Sequence, residues 1–416
     1  MKTNIRSAMA LLTLLAIGEV RAQSEGLTSS PYSLYGLGVI NQTSIGRSNG
    51  LGYTGIGMKS ATDINNLNPA NFALTPKNSF FYDVGVRGAY NSYGNRVEGE
   101  SKSSLNFSNL AFAFSIVEGL GMGISLVPYS DVGYSILGIG TNIEGSTETF
   151  ESNVTGVGGL NDLKLNLGYS LTPSLRLGLG ASFLFGNIEE KESFVVSGSS
   201  FVLEETTNYS GARLGLGAQY DIGERFSLGT TVQLPVSLKG TLKRSVLKTL
   251  DLTEVEVEDE TPDEVSNFKL PMELGLGISA KVFPFLMVNM DYKRNFWEAT
   301  DQSENTGTYE DQDIFGIGLE FLKNEKGRKL ADRIRYRAGF NFDNGYLAID
   351  DVKIESYGIT AGVGLPLNPY NNSMINLSYS YGATGKLQNT LIREDYHLLT
   401  LNLSLEDLWF AKRKIN

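Results

Sequence analysis

Cysteine is absent from the 416 residues, histidine occurs once and tryptophan twice. A chain without cysteine forms no disulfide framework and carries no lipid anchor at a cleavage-site thiol. Acidic residues outnumber basic ones, 46 to 35, and the formal net charge is −11. This balance disfavours nucleic acid as a partner. No nucleotide-binding motif or metal-ligand cluster is apparent, so the sequence predicts no metal and no cofactor.

Long apolar runs are also scarce. Residues 1–22 read as a secretory signal peptide, with Lys2 and Arg6 as the basic start, 8–17 as the apolar core and Val20-Arg21-Ala22 as the cleavage site. This core is too short to span a bilayer as a helix. No later run is long enough, which leaves two classes open: a secreted soluble protein and an outer-membrane barrel.

From residue 79 onward, apolar residues alternate with small or polar ones in segment after segment. Phe80, Tyr82 and Val84 share one face of the first segment, and Phe81 and Asp83 share the other. Stripes of period two are typical of strands, not helices. The same pattern recurs to Leu405 and predicts fourteen strands.

The links between these strands alternate in length. Short links such as 117–119, 172–174 and 283–285 follow the even-numbered strands, and long polar links such as 137–159 and 241–267 follow the odd-numbered ones. Short turns at one end and long loops at the other are typical of outer-membrane barrels. The predicted fold is all-β, a 14-stranded antiparallel transmembrane β-barrel over 79–416 in the outer membrane of a Gram-negative bacterium. A soluble solenoid or sandwich is the alternative.

The segment 23–78 is rich in Gly, Ser and Asn and has too few apolar residues to fold alone. Asn68-Pro69-Ala70 has the pattern of a capped helix start, and Pro76 closes that helix. The inward stripe of the strands carries charges of both signs and many glycines, which leave room for an inserted element. We therefore expect 23–78 to form a plug, or hatch, inside the barrel.

Two motifs resemble the FadL family of outer-membrane transporters. The first is Asn68-Pro69-Ala70 within 61–70, which is similar to the family's hatch motif, and the second is Val127-Pro128-Tyr129-Ser130 in the third strand. The resemblance implies a fourteen-stranded barrel with a lumenal hatch and passive uptake of long-chain fatty acids or aromatic hydrocarbons. It also implies a kink at Pro128 that lets ligand leave sideways into the bilayer.

Pro128 has two readings from physical chemistry alone. Proline cannot donate to the ladder and is confined to edges or bulges of sheets. Inside a long strand it would kink the wall, and at the strand's outer end it would lie above the membrane. Both positions remain open.

Eight residues are candidates for contact with a ligand or with the hatch. The aromatic ones are expected to line an apolar pocket, and the arginines either meet a carboxylate head group or clamp the hatch. The eight are Tyr32, Tyr35, Phe72, Phe81, Arg87, Arg213, Arg335 and Arg337.

Two further features favour ordinary roles. His397 falls on the apolar stripe near the outer end of the last strand, where its ring suits the membrane interface, so we expect no enzyme. The stretch 251–264 holds eight carboxylates and no base. It is expected to be a solvated external loop, with Ca²⁺ binding as the alternative.

The function expected from these features is an outer-membrane channel for hydrophobic molecules, gated by the hatch. The runner-up is an accessory barrel of a protein secretion system, like PorV of the type IX system, that binds a protein partner and transports nothing. A barrel hydrolase is a third reading.

Overall fold

The structure of the protein is a computed structural model that describes residues 30–94, 99–142, 149–196, 199–250, 253–258, 262–304, 307–325, 327–369, 371–388 and 391–408. The expected signal peptide, 1–22, lies outside these residues. Among the described residues, no helix has the length and apolarity needed to cross a membrane.

Strands make up most of the described chain. In order they are β1 (Val39–Ile40), β2 (Ser79–Gly94), β3 (Gly99–Val117), β4 (Leu120–Asn142), β5 (Thr149–Ser170), β6 (Leu175–Val196), β7 (Ser199–Ile222), β8 (Phe226–Gln233), β9 (Val236–Leu250), β10 (Thr253–Glu258), β11 (Asp263–Leu270), β12 (Glu273–Phe283), β13 (Leu286–Asn295), β14 (Gly307–Tyr309), β15 (Gln312–Leu322), β16 (Arg335–Asp343), β17 (Leu347–Ile349), β18 (Val352–Lys353), β19 (Ser356–Pro366), β20 (Met374–Thr384) and β21 (Arg393–Leu408). The helices are short: 3-10 turns at Pro31–Leu34, Gly46–Gly50, Pro69–Leu74 and Glu298–Thr300, and α1 at Leu330–Arg333.

Strand pairing follows the chain and closes on itself. β2 pairs with β3 on one side and with the last strand, β21, on the other. Two places in the wall are each formed by two short strands end to end. β8 and β9 share one place, and β11 and β12 share the neighbouring one. The result is the predicted closed, 14-stranded antiparallel barrel.

The two faces of each strand differ in polarity because successive side chains point to opposite sides. On β2, Val84 and Val86 are exposed, whereas Phe81 and Asp83 are buried inside. On β7, Leu214 and Leu216 are exposed while Arg213 is buried. An outward apolar belt around a closed wall with a polar interior is the arrangement of an outer-membrane β-barrel, and this protein is one.

The long links differ from expectation, since much of their length is strand. β2 and β3 pair as far as Gly94 and Gly99, and β6 pairs with β7 up to Val196 and Ser199. Above the membrane both faces of such a hairpin meet polar surroundings, so the apolar stripe of period two disappears although the ladder continues. The sequence pattern therefore indicated loops where the structure has extended hairpins.

Residues 30–78, called the N-terminal segment from here on, precede the first barrel strand and lie inside the wall. They contact inward-facing side chains from β4 around to β21. The segment has little regular structure, and its polar groups bond both to one another and to side chains of the wall.

Candidate functional site

The best-anchored part of the N-terminal segment is the turn at Pro69–Leu74. The Asn68 side chain accepts a hydrogen bond from the backbone N–H of Ala70 at 3.0 Å, and Pro69 occupies the first helical position. The amide nitrogen of Asn68 donates to the carbonyl of Ala218 on β7 at 3.1 Å. Asn68 therefore caps the helix and attaches it to the wall with one side chain.

The wall is shaped to receive this turn. A Cβ atom at Gly178 of β6 would overlap the backbone nitrogen of Ala70, and one at Gly123 of β4 would overlap the ring of Phe72. Glycine is needed at both positions because the backbones or rings approach too closely for any side chain. The inward glycines noted in the sequence thus hold space for the N-terminal segment.

A buried ionic cluster joins the segment to the opposite wall. Arg47 donates to Glu320 of β15 through Nε at 2.8 Å and Nη2 at 2.6 Å, and Arg337 of β16 donates to the same carboxylate at 2.8 Å. Arg335 lies 3.5 Å from it. Arg47, Glu320 and Arg337 are 7%, 4% and 6% exposed. Removing one member of such a cluster leaves a buried charge without compensation.

Two further charged side chains of the wall, Asp291 and Arg213, differ in whether they bond to the N-terminal segment. The carboxylate of Asp291 accepts from the backbone nitrogens of Gly55 and Ile56 at 2.7 and 2.9 Å, so it holds the N-terminal segment. Arg213 donates to Glu273 at 2.6 Å and to the carbonyl of Pro271 at 2.6 Å. All of these Arg213 contacts lie within the wall.

A cavity of about 300 Å³ lies near the outer end of the lumen, beside Val39–Ile40. Its lining includes Tyr32, Arg87 and Glu394. The Tyr32 hydroxyl donates to the carbonyl of Ile392, and burial raises the pKa of Tyr32 to about 12. Glu394 lies on the part of β21 that extends above the apolar belt, and burial raises its pKa to about 7.

The ladder between two strands of the wall is interrupted beside this cavity. Pairing between β3 and β4 ends at Leu110 and Leu126, while β3 continues along β2 and β4 along β5. We call the space between the two strands above this last pair the side gap. It is bordered outside by Phe107 and by Leu105, which is 73% exposed.

Pro128 lies on β4 at the beginning of the side gap. It pairs with Asn161 of β5, and the register then shifts so that Tyr129 is bulged and turned inward, where it is 7% exposed. A proline fits here because its missing N–H faces the edge that β3 has left. Pro128 therefore lies inside a long strand, next to a bulge.

The N-terminal segment covers part of the open edge of β4. Val39 and Ile40 of β1 pair with Asp131 and Ser130, and the backbone nitrogen of Asn41 donates to the carbonyl of Tyr129 at 2.9 Å. One short strand of the segment thus stands where β3 would otherwise continue.

Comparison with known proteins assigns the chain to a family. The family model described as BamG matches residues 4–416. The chain belongs to the BamG family. No curated protein matches its sequence.

Several solved structures share the fold of this BamG family member. The toluene transporter TodX of P. putida has 15% identity and a TM-score of 0.62, covering 89% of this chain and 100% of its own. The Ralstonia pickettii toluene transporter TbuX has 17% identity and a TM-score of 0.57, covering 88% and 98%. A Pseudomonas aeruginosa FadL homologue has 12% identity and a TM-score of 0.57, covering 87% and 98%. These likenesses confirm the FadL-like barrel predicted from the sequence.

The eight candidate contact residues fall into separate places in this BamG family barrel. Tyr32 and Arg87 line the cavity, and Tyr35 packs against the buried apolar cluster that includes Tyr32. Phe72 and Phe81 belong to a lower apolar cluster with Ile45. Arg335 and Arg337 pair with Glu320, away from the cavity lining, whereas Arg213 pairs with Glu273, which lines the cavity. The aromatic residues therefore do not form one pocket.

Sequence reasoning missed an aromatic layer that covers the lumen from outside. Trp297 stacks on Tyr309 and Tyr346 with ring centroids 5.4 and 4.9 Å apart. The Tyr346 hydroxyl donates to the carbonyl of Gly38 at 3.0 Å, which ties the layer to the N-terminal segment. These residues come from loops and from the small sheet of β14, β17 and β18. Their only sequence signal is large aromatic residues in otherwise polar links.

His397 and the acidic stretch 251–264 are the two other features that the sequence singled out. His397 faces outward near the outer end of β21, with Nδ1 2.7 Å from the Tyr379 hydroxyl. Part of the acidic stretch 251–264 lies outside the described residues. Among the residues that are described, no group of three or more His, Cys, Asp or Glu side chains could hold a metal ion.

Proposed function

We propose that this barrel carries small hydrophobic molecules across the outer membrane, with residues 23–78 as its hatch and the side gap as its lateral opening. The observation that supports this most directly is the position of the cavity behind the gap. Asn106 on β3 and Tyr129 and Asp131 on β4, the strands that border the gap, all line the cavity. A molecule in the cavity would therefore be beside the side gap.

The surroundings of the cavity favour the lateral route over an axial one. The aromatic layer of Trp297, Tyr309 and Tyr346 lies on the external side, and the clamped N-terminal segment fills the lumen on the other. In the gap, by contrast, the covering element is the two-residue strand β1. Each backbone hydrogen bond contributes only about 0.5–1.5 kcal/mol net to stability. Displacing β1 therefore costs far less free energy than unpacking the aromatic layer or the N-terminal segment.

The size and the relatives support a small ligand. A cavity of about 300 Å³ is at the lower end of the range for small-molecule sites. The solved structures that share this fold include toluene transporters and the CymD monoaromatic hydrocarbon channel. We therefore place the transported molecules in the class of small apolar compounds.

The experiment is uptake of radiolabelled toluene by cells that express the barrel. Ala89 lines the cavity, and Ala89→Trp should fill it and reduce uptake at least tenfold. Ala361 faces outward on β19, so Ala361→Trp is the matched control and should leave uptake unchanged. Folding of both variants is checked by the change in gel mobility on heating.

Pro128→Ala tests the lateral opening separately. Alanine restores a backbone N–H and relieves the constraint on the bulge, which lets β4 approach β3 and narrow the gap. Uptake should fall severalfold. Unchanged uptake in both Ala89→Trp and Pro128→Ala would contradict the transport proposal.

The extended external hairpins favour a second candidate, an accessory barrel that binds a protein partner. β4 to β7 continue as paired strands well beyond the apolar belt and present a rigid wall outside the membrane. Purification in mild detergent separates the two functions. A stable protein partner together with no bound small molecule favours the accessory role.

A further inference from the structure

The cavity behind the side gap is more polar than a hydrocarbon site requires. Its lining includes the carboxylates Asp131, Glu273, Asp343 and Glu394 and the cations Arg87 and Lys293. Ligand sites usually place a few polar groups among apolar walls, and those groups set specificity. The polar groups that lack protein partners therefore indicate what the ligand carries.

Two of the four carboxylates are already satisfied by the wall. Glu273 accepts from Arg213 at 2.6 Å. Asp343 accepts from the side chain of Gln312 at 2.8 and 2.9 Å and from the backbone nitrogen of Gly345 at 2.8 Å. Neither carboxylate needs a ligand to complete its hydrogen bonds.

Two side chains beside the side gap, Asp131 and Asn91, each have an oxygen without a hydrogen-bond partner. Asp131 accepts from Asn41 through Oδ2 at 2.7 Å, whereas its Oδ1 is buried without a hydrogen-bond partner. Asn91 is 8% exposed and donates its amide nitrogen to Glu394 at 3.2 Å. The Asn91 Oδ1 atom is likewise buried without a partner. Two acceptors on this side of the cavity thus await a donor.

One donor in the same region is also incomplete. The Nε atom of Arg87, on β2, is buried without a hydrogen-bond partner. Arg87 and Asp131 both line the cavity, yet the two side chains form no direct ion pair within 4.0 Å among the described residues. A donor that suits an anion and acceptors that suit an ammonium therefore occur together.

Resting on the proposed function, we propose that the cavity selects an amphiphile with a zwitterionic head, one that carries a primary ammonium and an anionic group. The ammonium has three N–H donors for Asp131 Oδ1 and Asn91 Oδ1, and the anion accepts from Arg87. The apolar chain leaves through the side gap past Phe107 and Leu105, whose exposed side chains border it.

Arrangement along the gap supports an amphiphile over a free polar solute. The polar groups lie on the lumenal face of β2 and β4, and the apolar border lies on the outer face of β3. A single molecule can satisfy both only if its polar and apolar ends are separate. A hydrocarbon fills the apolar end and leaves the buried acceptors and donor unpaired.

Binding to the purified full-length barrel in non-ionic detergent tests this inference by calorimetry. The probes share one chain length: a phosphoethanolamine-headed lysolipid, its phosphocholine analogue, an alkylamine and an alkyl carboxylate. Soluble phosphoethanolamine without a chain is a fifth probe, and toluene is a sixth. The phosphoethanolamine lysolipid should bind at least tenfold more tightly than each of the others, because the phosphocholine head has no N–H to donate.

Variants assign the effect to the named groups. Asp131→Asn and Arg87→Gln should each weaken binding of the phosphoethanolamine lysolipid about tenfold. Glu355→Gln is the matched control, since Glu355 pairs with Lys386 in an external loop and does not line this cavity. Its binding should equal that of the unmodified protein, and heat-dependent gel mobility confirms that all three variants are folded.

The outcomes separate the inference from the proposed function. If toluene or the alkyl carboxylate binds as tightly as the zwitterionic lysolipid, the inference is overturned while transport of hydrophobic molecules stands. Tight binding of soluble phosphoethanolamine alone overturns the amphiphile requirement. If toluene and every amphiphile fail to bind, the proposed function falls together with the inference.

Discussion

Glu320 connects the N-terminal segment to the wall more strongly than any other single carboxylate described above, and its removal is the sharpest test of that attachment. Glu320→Gln keeps the size of the side chain but removes the charge that Arg47, Arg335 and Arg337 share. Arg47 and Arg337 remain almost fully buried. Breaking a buried ion pair on one side costs about 3–5 kcal/mol, and we expect this variant within that range, since Arg337 loses its carboxylate partner while Arg47 keeps Asp63 at 3.6 Å.

The assay is equilibrium unfolding in urea, with the barrel in detergent and the folded fraction read from gel mobility. Glu204→Gln is the matched control because Glu204 pairs with Lys191 at 2.6 Å on the exposed external hairpin. Exposed pairs contribute about 0–1 kcal/mol, so the control should change little. Arg47→Met should fall between the two, since Glu320 retains Arg337 and Arg335.

The ranking of the three variants by their loss of unfolding free energy tests whether the buried cluster holds the segment. A loss for Glu320→Gln no larger than that of Glu204→Gln would refute the claim that a buried cluster holds the segment. Faster proteolysis within residues 30–78 should accompany the loss of stability in Glu320→Gln and be absent in the control.

Three other perturbations have defined outcomes. Asn68→Ala removes a cap and a wall contact and should lower the free energy of unfolding by about 1–2 kcal/mol in the same urea assay; no change would show that the turn is held elsewhere. Gly178→Ala should destabilise by about 1–3 kcal/mol because its Cβ meets backbone, whereas Gly140→Ala, which points into open space, should not; equal effects would contradict the close approach. Burial raises the pKa of Glu394 from its ordinary 4.5 to about 7, so ionisation of Glu394 opposes folding as the pH rises from 4.5 through 7. Glu394→Gln should therefore raise the melting temperature at pH 8 and leave it unchanged at pH 4, and a gain that does not depend on pH would contradict the buried carboxyl.

The wall of the barrel could be predicted from the sequence because its determinants are local. Alternation such as Val84 and Val86 against Asp83 is set by the period of a strand, whatever the partner strand is. The cap at Asn68 is local in the same way and appears as predicted. Local rules also placed the proline of β4 in a strand, though not its level.

The site could not be predicted to the same extent because its determinants are distant in sequence. Nothing in the pattern around Arg47 indicates that its partner is Glu320, and both signs of charge were available on many strands. The side gap depends on where β3 and β4 stop pairing, which involves residues of two strands. The layer of Trp297, Tyr309 and Tyr346 assembles from separate links, so no single window of sequence contains it.

The order of events during biogenesis is constrained by the position of the N-terminal segment. It is made first, yet its partners include Asp291, Glu320 and Asn402, and the ring is complete only when β21 joins β2. After the barrel has closed, the N-terminal segment would have no wide opening through which to enter the lumen. We therefore expect the wall to close around the N-terminal segment, and a chain that lacks this segment should close more slowly.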